Sequence, residues 1–184
     1  MENQDEILDS GNLVKNNVVE EQKIISLNKF IFLSIISFGA YEIWWIYKAW
    51  RFYKQKEKLD IMPAARALFS IFFLNSLFNK ILEFAKEKGY NDNYSPTILF
   101  SGFLIGIISG WLPNPFWLIS ILSFIFFIPP FKALNFAKQN STDFIVSEQL
   151  SFSGRQIALI VIGVIFWASV LMGMVLMGMI MEEV

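Results

Sequence analysis

The sequence predicts an all-α, polytopic integral membrane protein with four to five hydrophobic helices, some of them re-entrant or interfacial. The 184 residues are 55% hydrophobic and 17% charged, with a mean hydropathy of +0.49. Soluble domains have about 45–50% apolar and about 25% charged residues, so a soluble fold would expose large apolar patches. Residues 93–131 and 156–181 contain no charged side chain. Because a bilayer core of about 30 Å needs ~20 helical residues, both stretches are long enough to span it.

The residue types also limit the chemistry available to the chain. Histidine and cysteine are both absent, which removes disulfides, thiolate nucleophiles, imidazole bases and the usual ligands of zinc, haem and iron–sulfur clusters. We therefore predict a protein that is not an enzyme and that binds no cofactor or metal. Basic and acidic residues nearly balance, at 15 and 16, so the net charge does not indicate nucleic-acid binding.

The first element is an acidic segment, residues 1–28. It holds six acidic side chains against two lysines and has no aromatic residue, a composition typical of disorder. It also lacks the basic and apolar regions of a secretory signal. We therefore predict a disordered acidic cytoplasmic tail, residues 1–28, followed by a helical membrane domain, residues 29–184.

The membrane domain begins with an aromatic and basic embedded region, residues 29–90. Its two apolar segments, 30–47 and 64–84, are interrupted or short, so the sequence leaves open whether they span the bilayer or re-enter it. The helix expected after Gly39 has aromatic residues on one stripe and basic residues on another, which is typical of interfacial helices. The basic residues predicted to contact lipid headgroups are Lys48, Arg51, Lys54 and Lys58.

Residues 95–131 are predicted to form a helical hairpin. Pro113-Asn114-Pro115 divides the charge-free stretch near its middle, which leaves two arms that are somewhat short for spanning. Pro129 and Pro130 should kink or end the second arm, because proline removes a backbone donor and crowds the preceding turn. Residues 156–181 contain no proline and are predicted as the final transmembrane helix.

The first arm of the hairpin carries glycine at every fourth position. Gly102, Gly106 and Gly110 form a candidate helix-packing face, because the absence of side chains lets another backbone approach closely. That backbone belongs either to a second copy of the chain or a membrane-protein partner, or to the other arm of the same hairpin. The sequence leaves both alternatives open.

One ionisable side chain, Glu42, lies well inside an apolar segment. Intramembrane acids are candidates for ion or proton pathways, and Glu42 with Asn75 and Asn79 would form the polar path of a small transporter or channel component. The simpler interpretation is an interfacial Glu42 that caps the helix after Gly39 or pairs with Lys48.

The distribution of basic residues bears on topology. If all five segments cross the membrane, the basic loops fall on opposite sides and the positive-inside rule is poorly obeyed. If segments 30–47 and 64–84 instead enter and return on the cytoplasmic side, or lie along it, all fifteen basic residues fall inside and the Pro113-Asn114-Pro115 turn falls outside. We favour the second arrangement and keep the first as its alternative, since re-entrant segments are rarer than spanning ones.

The first two segments also carry a family resemblance. It rests on KFIFLSIISFGAYEIWWIYKAWR at 29–51 and PAARALFSIFF at 63–73. This pattern resembles a bacterial family of small multi-helix membrane proteins, a domain of unknown function, with the signature Lys-Phe, Phe-Gly-x-Tyr, Trp and Tyr-Lys-x-Trp. The resemblance implies a bacterial integral membrane protein with several helices and brings no activity or site residues with it. The matching positions are Phe38, Gly39, Tyr41, Tyr47, Lys48 and Trp50.

These observations predict a non-enzymatic scaffold or accessory subunit of a bacterial cytoplasmic (inner) membrane, with its N-terminus in the cytoplasm. The expected partners are membrane lipids and either further copies of the chain or another membrane protein, and no nucleic acid is expected. The alternative function is the transporter or channel component that uses Glu42, Asn75 and Asn79.

Overall fold

The computed structural model describes residues 21–182 of the chain. Within them the protein is mostly helical, as the sequence predicts. Two helical stretches, Phe116–Gln139 and Gly154–Met179, are long and apolar enough to cross a membrane. In chain order the elements are β1 Gln22–Ile24, α1 Leu27–Ile36, α2 Ala40–Glu57, α3 Pro63–Leu68, α4 Ser70–Glu87, α5 Pro96–Ser109, a 3-10 helix Phe116–Phe127, α6 Ile128–Gln139, β2 Val146–Glu148 and α7 Gly154–Glu182.

The structure corrects the N-terminal boundary. Residues 21–28, which their composition assigns to the disordered tail, form β1 and the start of α1, and residues 1–20 lie outside the described residues. β1 pairs in parallel with β2, with Gln22 opposite Val146, and Ile24 is buried. Composition misses this strand because its partner lies far along the chain, so the pairing leaves no local signal.

α1 and α2 form a short antiparallel hairpin. The chain reverses at Phe38 and Gly39, whose φ angles are 50° and 82°, so the predicted interruption of the first apolar segment is confirmed. Phe30 of α1 packs against Tyr41 and Trp45 of α2, with ring centroids 6.1 and 6.0 Å apart. At 1.5 Å per residue the ten residues of α1 reach only about 15 Å, half the thickness of a bilayer core.

A second break separates α3 from α4 at Phe69, where neither glycine nor proline marks it in the sequence. The N–H of Phe69 donates to the Ala65 carbonyl at 2.9 Å, which closes α3, and a new helix begins at Ser70. The side chains at this tip are apolar and exposed, with Leu68 at 74% and Phe72 at 76%. An exposed tip of this kind suits hydrocarbon better than water.

α5 and the 3-10 helix form the predicted hairpin, and the glycine face packs inside it. A Cβ on Gly102 would lie 2.2 Å from the Phe126 ring, and one on Gly106 would lie 2.8 Å from the Ser123 Cβ. Gly110 continues the same face, and an added Cβ there would lie 3.5 Å from the Ser120 Cβ of the other arm. The sequence leaves open whether the glycine face packs against another protein or against the other arm of the same hairpin. In the structure it packs against the other arm.

The second arm of the hairpin is a 3-10 helix of 12 residues. A 3-10 helix rises about 2.0 Å per residue, so this arm reaches about 24 Å and matches the 14 α-helical residues of α5, which reach about 21 Å. Pro129 and Pro130 follow in the first turn of α6, where the helix needs no N–H donor. The helical stretch continues past the prolines to Gln139, so it changes from 3-10 to α-helix beside them, and the predicted end of the helix at this point is wrong.

Aromatic side chains join the helices into one core. Phe127 is fully buried and its ring lies 5.9 Å from Trp45, 5.5 Å from Phe78 and 5.2 Å from Phe103. These three residues belong to α2, α4 and α5. Edge-to-face ring pairs of this kind add about 0.5–1.5 kcal/mol each beyond the burial of apolar area. The core therefore fixes the positions of α2 and α4 relative to the α5 hairpin.

Within the described residues, the closest contacts between α7 and the rest of the chain lie in its first half. Gly163 lies so close to α1 that an added Cβ would meet the Ile36 carbonyl oxygen at 2.1 Å. Trp167 Nε1 donates to the Ile35 carbonyl at 3.3 Å. Beyond this point the helix is exposed, with Met172 at 67% and Val175 at 62%. The second half of α7 is thus a largely exposed apolar surface within the described residues, and Asn114 of the proline turn lies beside it at Met177.

The loops after α2, α4 and α6 lie at one end of the molecule. Lys56 at the end of α2 stands 4.3 Å from the ring of Phe84 near the end of α4. Lys88, just after α4, pairs with Asp143 in the loop after α6 at 3.5 Å. Asn114 lies at the far end of the α5 hairpin, with its Nδ2 beside the second half of α7. The charged loops and the proline turn are therefore at opposite ends.

Candidate functional site: a basic and aromatic cavity

A cavity of about 580 Å³ lies between α2, α6, β1 and the start of α7. Among its lining residues five side chains are cationic and one, that of Glu21, is acidic. A concave surface with one excess sign of charge concentrates ligands of the opposite sign, so the cavity favours anions. The cationic lining residues are Lys23, Lys48, Arg51, Lys138 and Arg155.

Lys138 is the buried member of this set, with 7% of its surface exposed. Its Nζ donates to Gln22 Oε1 at 3.0 Å and lies 4.5 Å from the centre of the Phe52 ring. Neither neighbour carries a negative charge, and Lys138 forms no salt bridge with the described residues. A buried cation is costly unless an anion accompanies it. The floor of the cavity is therefore suited to an anionic ligand.

Gln156 forms a polar wall at the side of the cavity. It is 7% exposed, and its Nε2 donates to the Tyr41 hydroxyl at 3.1 Å. Its Oε1 accepts from Gln149 Nε2 at 2.7 Å and from the backbone N–H of Ser153 at 2.8 Å. Because both ends of the amide are occupied, its orientation is fixed and the start of α7 is held against α2.

Trp44 supplies an aromatic surface beside two of the cations. Lys48 Nζ lies 5.8 Å and the Arg155 guanidinium 5.7 Å from the centre of its ring. Cations are attracted to the faces of aromatic rings at these distances. The cavity thus combines positive charge with apolar walls, a combination that suits an amphipathic ligand at a membrane interface.

A groove of about 300 Å³ adjoins the cavity between α2 and α7. Four residues line both spaces, and Gln156 is one of them. Ala40 and Leu159 belong to the groove alone, so apolar side chains border it away from the cations. The residues that line the groove are Ala40, Tyr41, Trp44, Arg155, Gln156 and Leu159.

The structure divides the four predicted headgroup contacts into two pairs. Lys48 and Arg51 line the cavity. Lys54 instead donates from Nζ to the Ile61 carbonyl at 2.9 Å, because six residues of helix turn it about 120° away from Lys48. Lys58 lies beyond the last helical residue of α2, in the left-handed region with φ 51°. Headgroup contact stays a prediction for all four residues, of which Lys48 and Arg51 lie in the cavity.

Hydrogen bonds do not join the predicted polar path within the described part of the chain. Glu42 is buried in the first turn of α2, and its Oε1 has no hydrogen-bond partner there. Asn75 Oδ1 also lacks a partner. Asn79 is exposed and donates from Nδ2 to the backbone carbonyl of Asn75 at 2.8 Å. This last bond stays within one helix and provides no route between helices.

The sequence pattern does not single out the residues that make the cavity distinctive. Lys138 is one of several lysines near a predicted helix end, and Gln156 is the first residue of a charge-free stretch. Gln22 and Lys23 fall in the predicted tail. The local signal for a strand at Gln22 and Lys23 is the apolar Ile24 that follows these polar residues. One apolar residue is not enough to predict a strand.

Comparisons with protein-family models, with curated proteins and with solved structures find no match to the chain. The family resemblance at Phe38, Gly39 and Tyr41 therefore stays an expectation from the sequence. Among the described residues, no group of three or more acidic side chains is arranged to hold a metal ion.

Proposed function

We propose that the protein is a non-enzymatic accessory or scaffold protein of a membrane that holds anionic, phosphate-bearing headgroups in the basic and aromatic cavity. Lys138 carries the proposal, because it is a buried cation whose neighbours are an amide oxygen and an aromatic ring. An anion that enters the cavity would give this ammonium group a counter-charge. Charge-assisted hydrogen bonds contribute about 1.5–3 kcal/mol each, which is enough to select phosphate-bearing headgroups over neutral ones.

The cations around Lys138 add to the attraction. Lys48, Arg51 and Arg155 come from α2 and α7 and line the same cavity. A basic side chain near an anionic membrane surface contributes about 1 kcal/mol, so several together favour a charged membrane face. The aromatic ring of Trp44 beside two of them is typical of the interfacial region.

The proposal includes a placement in the membrane. Phe116–Gln139 and Gly154–Met179 would cross, while the α1–α2 and α3–α4 hairpins would re-enter from the basic end. Three features support this arrangement: the short reach of α1, the exposed apolar tip around Phe69, and the collection of charged loops at one end. By the positive-inside rule that end faces the cytoplasm, which fits a bacterial inner membrane with a cytoplasmic N-terminus.

The scaffold part of the proposal requires a partner surface other than the glycine face. Gly102 and Gly106 already contact the other arm of their own hairpin, so a second copy or a membrane-protein partner has to bind elsewhere. The transporter alternative gains no support from the described residues, since Glu42 Oε1 and Asn75 Oδ1 have no hydrogen-bond partners that would link them.

A thermal unfolding measurement tests headgroup binding. The full chain, purified in a neutral detergent, is heated with glycerol 3-phosphate or with glycerol. At about ten times its dissociation constant, glycerol phosphate should stabilise the protein by ~1.4 kcal/mol, and glycerol should have no effect. Lys138→Met keeps the length and apolar contact of the side chain but removes its charge, so this variant should lose the protection.

Lys132→Met is the matched control. Lys132 lies on the same helix as Lys138 but is exposed and does not line the cavity, so the control should keep the full protection. Equal melting of the wild-type protein in glycerol phosphate and glycerol would reject headgroup binding. Full protection of Lys138→Met would reject the cavity as the place where it occurs.

A further inference from the structure

We infer that the ligand is an anionic glycerophospholipid, with its headgroup in the basic cavity and one acyl chain in the groove between α2 and α7. This inference rests on the proposed headgroup function and adds the source of the headgroup. A free phosphate compound would use the cavity alone. A lipid would use the cavity and the groove together.

Continuity between the two spaces is the first reason. The groove and the cavity share Tyr41, Trp44, Arg155 and Gln156, so a headgroup in the cavity and an acyl chain in the groove would contact the same side chains. Gln156 and Tyr41 are hydrogen-bonded to each other at 3.1 Å. Their polar groups are therefore already paired, and the groove beside them can accept an apolar chain without leaving these groups without partners.

The order of chemistry along the two spaces is the second reason. The buried ammonium of Lys138 lies in the cavity, the Arg155 guanidinium lines both spaces, and Ala40 and Leu159 line only the groove. Charge therefore gives way to apolar surface in one direction. An anionic phospholipid has the same order, from phosphate to glycerol to acyl chain.

The surroundings of the groove are the third reason. Ile43 on α2 is 45% exposed, and Ile157 and Ile162 on α7 are 51% and 64% exposed. These apolar side chains belong to the same two helices that border the groove. An acyl chain in the groove would therefore leave the protein along an apolar surface. This is required if the end of the acyl chain is to stay in the hydrocarbon of the membrane. Each CH₂ group that the groove removes from water is worth ~0.8 kcal/mol.

Trp44 provides a built-in reporter for the acyl chain, because its ring lines the groove. The probe is a phosphatidylglycerol with brominated acyl chains, titrated at low mole fraction into micelles of neutral detergent that contain the full-length protein. Bromine quenches tryptophan fluorescence on contact. We expect saturable quenching that reaches half its extent at a mole fraction about fivefold lower than with brominated phosphatidylcholine, as ~1 kcal/mol of headgroup selection requires. Trp44→Phe should lose the saturable component.

A pair of alanine variants tests the groove itself. Ala40→Leu would narrow it and should raise the half-saturating mole fraction of brominated phosphatidylglycerol about fivefold or more, the loss expected when one or two CH₂ groups no longer fit. Ala158→Leu adds the same side chain at an exposed position of α7 that does not line the groove. It should leave the titration unchanged.

The outcomes separate this inference from the proposed function. The lipid inference is supported if the quenching is saturable and charge-selective, and if Ala40→Leu weakens it while Ala158→Leu leaves it unchanged. Quenching that does not saturate, or that both variants affect equally, overturns the lipid inference. If glycerol 3-phosphate still protects the wild-type protein and the Ala40→Leu variant in that case, headgroup binding stands without the lipid inference. If glycerol phosphate gives no protection to the wild-type protein, the proposed function falls and the inference falls with it.

Discussion

At the scale of single residues, Arg66 is the clearest example of one side chain that joins several helices. Its guanidinium, on α3, lies 4.3 Å from the centre of the Trp50 ring on α2 and 5.1 Å from that of Phe73 on α4. Trp50 is fully buried, so the charge is attracted to a ring that water does not reach. In the sequence Arg66 is only the edge of a short apolar segment, because ring contacts between helices leave no local pattern.

Replacing Arg66 therefore should destabilise the fold. Arg66→Ala removes both ring contacts, and we expect it to lower the free energy of unfolding by about 0.5–2 kcal/mol. Arg66→Lys keeps the charge but loses the planar group that stacks on rings, so it should recover part of the loss. Thermal unfolding in neutral detergent measures both, with the exposed Lys132→Ala as control. Equal stability of Arg66→Ala and the control would show that the ring contacts contribute nothing measurable.

At the scale of elements, two of the glycines of α7, Gly163 and Gly173, lie in opposite environments. A Cβ on Gly163 would meet the Ile36 carbonyl oxygen at 2.1 Å, whereas one on Gly173 would have nothing within 4 Å. Alanine is the better helix former by roughly 0.5–1 kcal/mol where space allows. Overpacking against another element costs about 1–3 kcal/mol, and here the obstacle is backbone, which cannot rotate away.

The same substitution at the two glycines should therefore have opposite effects on stability. Gly163→Ala should lower the unfolding temperature because it separates α7 from α1, and Gly173→Ala should leave it unchanged or raise it slightly. Loss of the hydrogen bond from Trp167 Nε1 to the Ile35 carbonyl would accompany the separation, so the tryptophan fluorescence of the protein should shift only in the first variant. A stable Gly163→Ala with unshifted fluorescence would contradict this packing.

Elements were predictable where one local property defines them. Charge-free length predicts α7 and the α5 hairpin, the Pro113-Asn114-Pro115 sequence marks the turn of that hairpin, and Gly39 marks the α1–α2 turn. The break at Phe69 and the β1–β2 pair have no such marker, because tertiary contacts produce them. The cavity follows the same rule. Lys48 and Arg51 are visible as a basic stripe, but the burial of Lys138 depends on Gln22, which only the distant strand pairing brings near.

At the scale of the whole molecule, contacts between loops bear on how the chain lies in the membrane. Lys56 packs on Phe84, and Lys88 pairs with Asp143, so three charged loops meet at one end. A chain whose five apolar segments all crossed a bilayer would have the loop after α2 on the opposite side from the loop after α4. The contacts are hard to reconcile with such a chain, since about 30 Å of hydrocarbon would separate their charges.

Labelling of single cysteines decides between the two topologies, and the absence of native cysteine makes the result direct. Asp60→Cys, Asn91→Cys and Asn114→Cys place a thiol in the loop after α2, the loop after α4 and the proline turn, all at exposed positions. With re-entrant hairpins, a membrane-impermeant maleimide should reach positions 60 and 91 from one side and position 114 from the other. Five crossings would instead place position 60 with position 114. Position 60 therefore distinguishes the two, because positions 91 and 114 lie on opposite sides in both arrangements.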